Sequence, residues 1–344
     1  MNLSYRTRRN LRVLGKTLVI LFLIAAISWL CWIIWVGRFI YFDRDLGAKL
    51  DFSLEADFPE GTLAVPPTVD TGVNIIYNDP QVEKPPEVQE KTGIAGYYID
   101  LSDLQDDIPA VIKQLKALRP GTAVMLDVKS PKGYFFYSSD LEEASDSTLL
   151  DVAQMDTLFT YLASSDLYAI ARLPAFRDWR YGLNNVPSGL PEQNKGGALW
   201  MDDTGCYWLD PTDQQALSYL VRITKELQSL GFDEVVFDDF RFPYTNQIVF
   251  SGDKTQAIAD AAATLATACA TEQFCVSFMS RDASFPLPDG NCRVYLQNVA
   301  AEDADTVAQQ VQTTEPELHV LFMTTTNDTR FDKYSVLRPL DSAH

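Results

Sequence analysis

The stretch Gly231-Phe232-Asp233-Glu234-Val235-Val236-Phe237-Asp238-Asp239-Phe240-Arg241-Phe242-Pro243 reads as a short buried strand between a helix stop and a charged loop. Gly231 suits the left-handed position that closes a helix, and Val235 to Phe237 is a strand-like apolar run. Pro243 ends pairing, because it has no N–H to give. Side chains alternate across a strand, so Val235 and Phe237 share one face while Glu234, Val236 and Asp238 share the other. An apolar outer face against helices, with a carboxylate at the C-terminal end of the inner face, is how a parallel (β/α) barrel presents chemistry.

Outward from this strand, the chain from Gly93 alternates strand and helix, the signature of βαβ units and a parallel sheet. Strands are predicted at 94–100, 123–129, 167–173, 274–280, 293–299 and 318–324, with helices over 108–118, 149–162, 217–227, 255–270 and 303–312. Parity places Met125, Asp127 and Lys129 inward, and Arg172 inward with Tyr168 and Ile170. This makes an α/β fold, a (β/α)8 TIM-type barrel over residues 92–344, with seven strands visible. The eighth comes from Val73–Tyr77 or from the tail, or the barrel is incomplete in its C-terminal strands.

Residues 1–16 form a basic segment that precedes an uncharged run over 17–36. Twenty residues without a charge match the length that crosses a bilayer, and Trp29, Trp32 and Trp35 crowd the outer end as an interfacial belt. No small-x-small cleavage site follows. The expectation is a single-pass signal-anchor helix with a cytoplasmic N-terminus and the remainder extracytoplasmic. Residues 43–91, with six prolines among acidic residues, read as a spacer.

Charge sorts the partners. The whole chain carries −19; residues 1–42 hold six cations and no acid, so the rest carries −25. Such a field repels nucleic acid, whose binding rests on phosphate neutralisation, and it disfavours anionic polymers while tolerating neutral or cationic ones. Only two histidines are present, so acid–base work falls to carboxylates. No cofactor is expected. Cys269 and Cys275 are the first candidates for a disulfide, with buried free thiols as the alternative.

The excursion over 174–212 is long enough to be functional or to carry structure of its own. Leu199-Trp200-Met201 and Cys206-Tyr207-Trp208 flank Asp202 to Gly205 as a hairpin. Trp200 and Trp208 read either as sugar-stacking platforms or as the hairpin's own core.

Acid–base chemistry shared by two carboxyl groups needs one that donates a proton and one that acts as nucleophile or base. Asp238, inward at a strand end, is the first candidate for proton donation. Asp127 is next, with Lys129 placed to hold it ionised as a stabiliser. Asp239 shares parity with Phe237, so it caps the loop or pairs with Arg241. Arg172 and Arg241 would orient carboxylates or bind sugar hydroxyls. Asp100 and Asp282 are further strand-end carboxylates where a proton donor is to be sought. For each of these a plain loop-capping role is the alternative.

Phe237 to Pro243, preceded by Leu230 to Glu234, resembles a bacterial family of glycoside-hydrolase-like proteins of the envelope or secreted fraction. The family strand reads Phe-Asp-Tyr-x-Arg-Phe-Pro, so Asp238 and Arg241 match and Asp239 stands in place of tyrosine. The likeness extends to Leu126–Lys129, Ile170–Arg172, Phe176–Asp178 and Trp208–Pro211, spanning residues 92 to 282. It implies a TIM-type barrel related to amylase-like glycosidases. The reading is a membrane-anchored glycoside hydrolase acting on an envelope or environmental polysaccharide. A non-catalytic glycan-binding or scaffolding barrel is the alternative.

Overall fold

Eight parallel strands close into a barrel in the computed structural model, which describes residues 40–43, 47–50, 93–193, 196–280, 285–311, 313 and 315–340. In chain order they are β1 (Ala95–Tyr98), β2 (Ala123–Asp127), β3 (Tyr168–Pro174), β4 (Glu234–Asp238), β5 (Cys275–Ser280), β6 (Val294–Gln297), β7 (Val320–Met323) and β8 (Ser335–Pro339). Each pairs in parallel with its neighbour, and β8 closes the ring on β1, Val336 facing Ala95 and Pro339 facing Tyr98. The eighth strand therefore comes from the tail. Ring closure makes the barrel complete.

A separate unit of the chain holds two short strands, Ile40–Asp43 and Gly47–Leu50, paired antiparallel. They fall where the sequence reads as the end of an aromatic belt and the start of a spacer. The proposed anchor over 17–36 lies outside the described residues, as does nearly all of the spacer. Among the described residues no helix is long and apolar enough to cross a membrane.

The main helices are α1 (Leu101–Leu115), α2 (Val152–Ser164), α3 (Trp179–Asn184), α4 (Gln214–Ser229) and α5 (Lys254–Cys269). Helix α1 begins seven residues earlier than its apolar periodicity indicates, and Asp107 breaks it with φ −162° and ψ 89°. The Asp107 carboxylate accepts from the Ala110 N–H, so the segment after the break starts there with Pro109 in its first turn, where a missing N–H costs nothing. Asp213 caps α4 by accepting from the Ala216 N–H. Gly231 closes that helix at φ 92°, and a β-carbon there would stand 2.7 Å from that of Ala163.

Strand parity divides two apolar layers. Val124, Leu126, Val235 and Phe237 join the outer core against the helices. Met125, Ile170, Val236, Met279 and Leu337 fill the barrel itself, as alternation requires. Gly96 is needed where β1 approaches β2, since a β-carbon there would lie 1.9 Å from the Ala123 carbonyl oxygen.

At the N-terminal end of the barrel the filling becomes polar. Glu234, fully buried, faces Arg293 Nη1 at 2.6 Å and accepts from Tyr168, Ser277 and Tyr295 hydroxyls. A buried carboxylate is tolerated when it is paired and hydrogen-bonded throughout, and this one is. Cys206, Cys269 and Cys275 are free and buried; the expected Cys269–Cys275 disulfide does not form.

Candidate active site

Asp127 ends β2, Arg172 sits opposite it in β3, and Asp238 ends β4, so three neighbouring strands deliver charge to the C-terminal rim. The Asp127–Arg172 register is direct, and Pro174 is level with Asp238, two residues above Arg172. Arg172 donates from Nε to Asp127 Oδ1 at 2.5 Å and from Nη2 to Oδ2 at 2.9 Å. This bidentate geometry matches the planar fork to the carboxylate.

Electrostatics tie the third strand to this pair. Burial raises the pKa of Asp238, the nearby Asp239 and Asp127 charges raise it further, and the Asp239 N–H and the Arg172 cation oppose them. Burial alone would lower the Arg172 pKa, but the hydrogen bonds and charge of Asp127, with the charges of Asp238 and Asp100, raise it overall. Asp100 follows β1 directly and stands exposed at the start of α1. Three strands, with Asp100 two residues past the end of β1, thus contribute charge at the rim.

Asp239 adjoins this cluster but is held by other cations. Its backbone is left-handed, φ 48°, a conformation that aspartate tolerates better than most residues. Its carboxylate accepts from Arg241 Nη2 at 3.2 Å and approaches Arg177 Nη1 at 3.5 Å. Arg241 therefore holds Asp239, not Asp238.

Lys129 lies elsewhere. Its ammonium is fully buried against Asp178 Oδ2 at 2.6 Å, beside the rings of Phe135 and Tyr219. Asp178 also caps α3 through the Tyr181 N–H and accepts from the Tyr219 hydroxyl. The expectation that Lys129 holds Asp127 ionised is overturned, because the chain leaves β2 at Asp127 and strand parity no longer governs the residues beyond. Arg172 takes that position instead.

Of the two readings of the tryptophans, the core reading holds for Trp208. Trp208 is 3% exposed, donates its indole N–H to Asp202, and is covered by the Arg241 guanidinium 4.7 Å from its ring centre. It packs in the core and presents no face to a sugar. Trp200 is half-buried and donates to Gln247 at 3.3 Å. Asp282 lies outside the described residues.

Sequence reasoning missed the residues that fasten the hairpin to the rim. Arg177 donates to Asp202 and to the Thr204 hydroxyl while reaching Asp239. Burial tends to raise the Asp202 pKa, but hydrogen bonds from Cys206, Thr204 and Trp208, with the Arg177 charge, bring it down to about 2. Lys132 adds two hydrogen bonds to the Thr204 and Gly205 carbonyls. The only signal in the sequence was an Arg–Asp pair in Phe176-Arg177-Asp178, with nothing to say which acid each charge would meet.

Among solved structures, the glycoside hydrolase domain of PgaB (BpsB) from Bordetella bronchiseptica aligns over 74% of this chain and 96% of its own, at 11% identity and a TM-score of 0.51. A hypothetical protein from Ruminiclostridium thermocellum aligns over 53% of this chain and 96% of its own, at 21% identity and a TM-score of 0.45. The glycoside hydrolase domain of PelA from Pseudomonas aeruginosa aligns over 72% and 96%, at 12% identity and a TM-score of 0.44. The first of these supports the barrel fold at a level that carries weight. Comparison with curated proteins gave no match. The family model described as "Putative glycosyl hydrolase domain" matches residues 102–321, most of the barrel and well over half of the chain, and the chain belongs to that family.

Proposed function

We propose that this protein hydrolyses O-glycosidic bonds in a polysaccharide, with Asp238 and Asp127 as the working carboxylates and Arg172 between them. One observation carries the reading: Asp127 and Asp238 end two strands at the C-terminal rim of a closed parallel barrel, and Arg172, on the strand between them, grips only Asp127 by direct contact. Environments that separate two carboxylates divide acid from base. Asp238, buried and with its pKa raised, suits proton donation to a leaving oxygen. Asp127, gripped by the guanidinium, suits the charged partner that steadies an oxocarbenium-like centre. Asp100, exposed at the same rim, is the second candidate for that partner.

The location of this chemistry rests on sequence. The uncharged run over 17–36 behind a basic segment supports an anchor with a cytoplasmic N-terminus and an extracytoplasmic barrel. A polymer of the cell envelope or its surroundings is then the accessible substrate, and the acidic field of the barrel favours a neutral or cationic one.

The test is a reducing-end release screen across polysaccharides with the full chain beside Asp238→Asn. Release by the parent that falls at least ~100-fold in the variant, the scale of a lost acid–base group, supports the proposal. Binding of a glycan with no release, equal in both proteins, supports a non-catalytic glycan-binding barrel instead.

A further inference from the structure

The loop after Asp238 carries an aromatic that the hydrolytic reading leaves unused. Tyr244 is 75% exposed. The Arg241 guanidinium lies 4.3 Å from the centre of its ring and 4.7 Å from that of Trp208. Arg241 is further tied to Asp239 and to the Phe242 carbonyl. An exposed tyrosine is ordinarily a mobile side chain; here a cation stacked on a buried indole gives it a fixed backing.

Tyr244 also lines a groove of about 460 Å³, with Phe242, Lys254, Met279 and Phe285 among its walls and no carboxylate among the described residues. Register connects that groove to the rim. Phe237 pairs with Phe278, so Met279 is level with Asp238 and belongs to the barrel's inner layer. A pocket that combines apolar walls with a few polar groups, one wall of it level with the strand-end carboxylate Asp238, has the form of a ligand subsite.

We propose that this groove is a sugar subsite flanking the cleavage point, in which Tyr244 is the stacking platform for a neutral, equatorially substituted hexopyranose. The inference rests on the hydrolase reading for its direction. A pyranose with equatorial substituents offers a C–H face that packs flat on an aromatic ring, whereas axial groups lift it away. Lys254, at the groove edge beside the Phe242 ring, is placed to donate to hydroxyl oxygens. The net acidity of the barrel opposes a polyanionic chain. Trp208 thus acts from beneath, through Arg241, as a positioning residue.

The test uses the full chain carrying Asp238→Asn, so that probes bind without being consumed. Affinities for cellohexaose, N-acetylchitohexaose and a galacturonate hexamer are measured by calorimetry before and after Tyr244→Ala or Tyr244→Phe. The expected result is binding of at least one of the two equatorial probes, weakened about tenfold (~1.4 kcal/mol) by Tyr244→Ala and retained within about twofold by Tyr244→Phe. Unchanged affinity in Tyr244→Ala, binding of the galacturonate alone, or no binding of any probe overturns it. Reducing-end release with Asp238 restored is scored separately. Hydrolysis whose KM ignores Tyr244→Ala removes the subsite and leaves the enzyme; tyrosine-dependent binding without hydrolysis keeps the subsite and removes the chemistry.

Discussion

Arg172 on β3 binds Asp127 on β2 through two parallel hydrogen bonds, and the same cation lowers the pKa of Asp238, on the next strand, against burial and two neighbouring acids that raise it. Replacing Arg172 by Met removes the opposing cation, so the Asp238 proton leaves at higher pH. If protonated Asp238 is the acid, the alkaline limb of the pH–rate profile moves to higher pH in Arg172→Met. Arg172→Lys keeps the charge but loses the fork, and its profile should lie between the two. Rates measured across pH in the three proteins check this.

Stability carries the same sign. A carboxylate whose folded pKa is raised binds its proton more tightly when folded, so ionisation costs stability as pH rises from the unfolded value, about 3.9, through the folded one. Asp238→Asn cannot ionise, and its amide oxygen can still accept from the Asp239 N–H. We expect a higher Tm than the parent at pH 7, with the difference vanishing below pH ~3.9, where both parental states are protonated. Thermal melts at the two pH values measure it.

The opposite end of the barrel is built for stability. Glu234 is fully buried with Arg293 and three hydroxyls around it. Truncating it to Ala strands the Arg293 cation and should cost about 3–5 kcal/mol, the usual penalty for breaking a buried pair. Urea denaturation of Glu234→Ala reads that loss.

Lys129 should likewise behave as a structural cation. With both side chains fully buried, Lys129→Met leaves the Asp178 charge uncompensated and should cost about 3–5 kcal/mol. Lys129→Met combined with Asp178→Asn should recover part of it, since contacting residues do not add. Total glycan release should follow the fraction folded, leaving release per folded molecule unchanged, which a role at Asp127 would not allow.

Much of this was legible in the residues. The pattern Val235, Phe237 outward and Glu234, Val236, Asp238 inward held because alternation in a short strand leaves little freedom. The same parity aligned Asp127 with Arg172 across two strands that no local signal connects. It stopped working where the strand stops: Lys129, two residues past the end of β2, follows a loop to Asp178. Asp239 was correctly removed from the inner face, and its left-handed backbone is the reason it faces Arg241 and Arg177. The role of Glu234 was hidden because its partners come from β3, β5, β6 and the start of β6's run, and only ring closure brings them together. The aromatics of the hairpin were visible as composition, but composition does not say that Trp208 is the one buried, with its indole N–H on Asp202.

The account stands most directly on Asp127 and Asp238 acting as one unit. The decisive measurement is the rate of reducing-end release by the full chain, by Asp127→Asn, by Asp238→Asn and by the double variant, each checked for its fold by circular dichroism. Residues that share a catalytic step are strongly non-additive, so the account predicts that each single variant loses at least ~100-fold and that the double loses little more. Full activity in Asp127→Asn beside an inactive Asp238→Asn, or full activity in both, would contradict it.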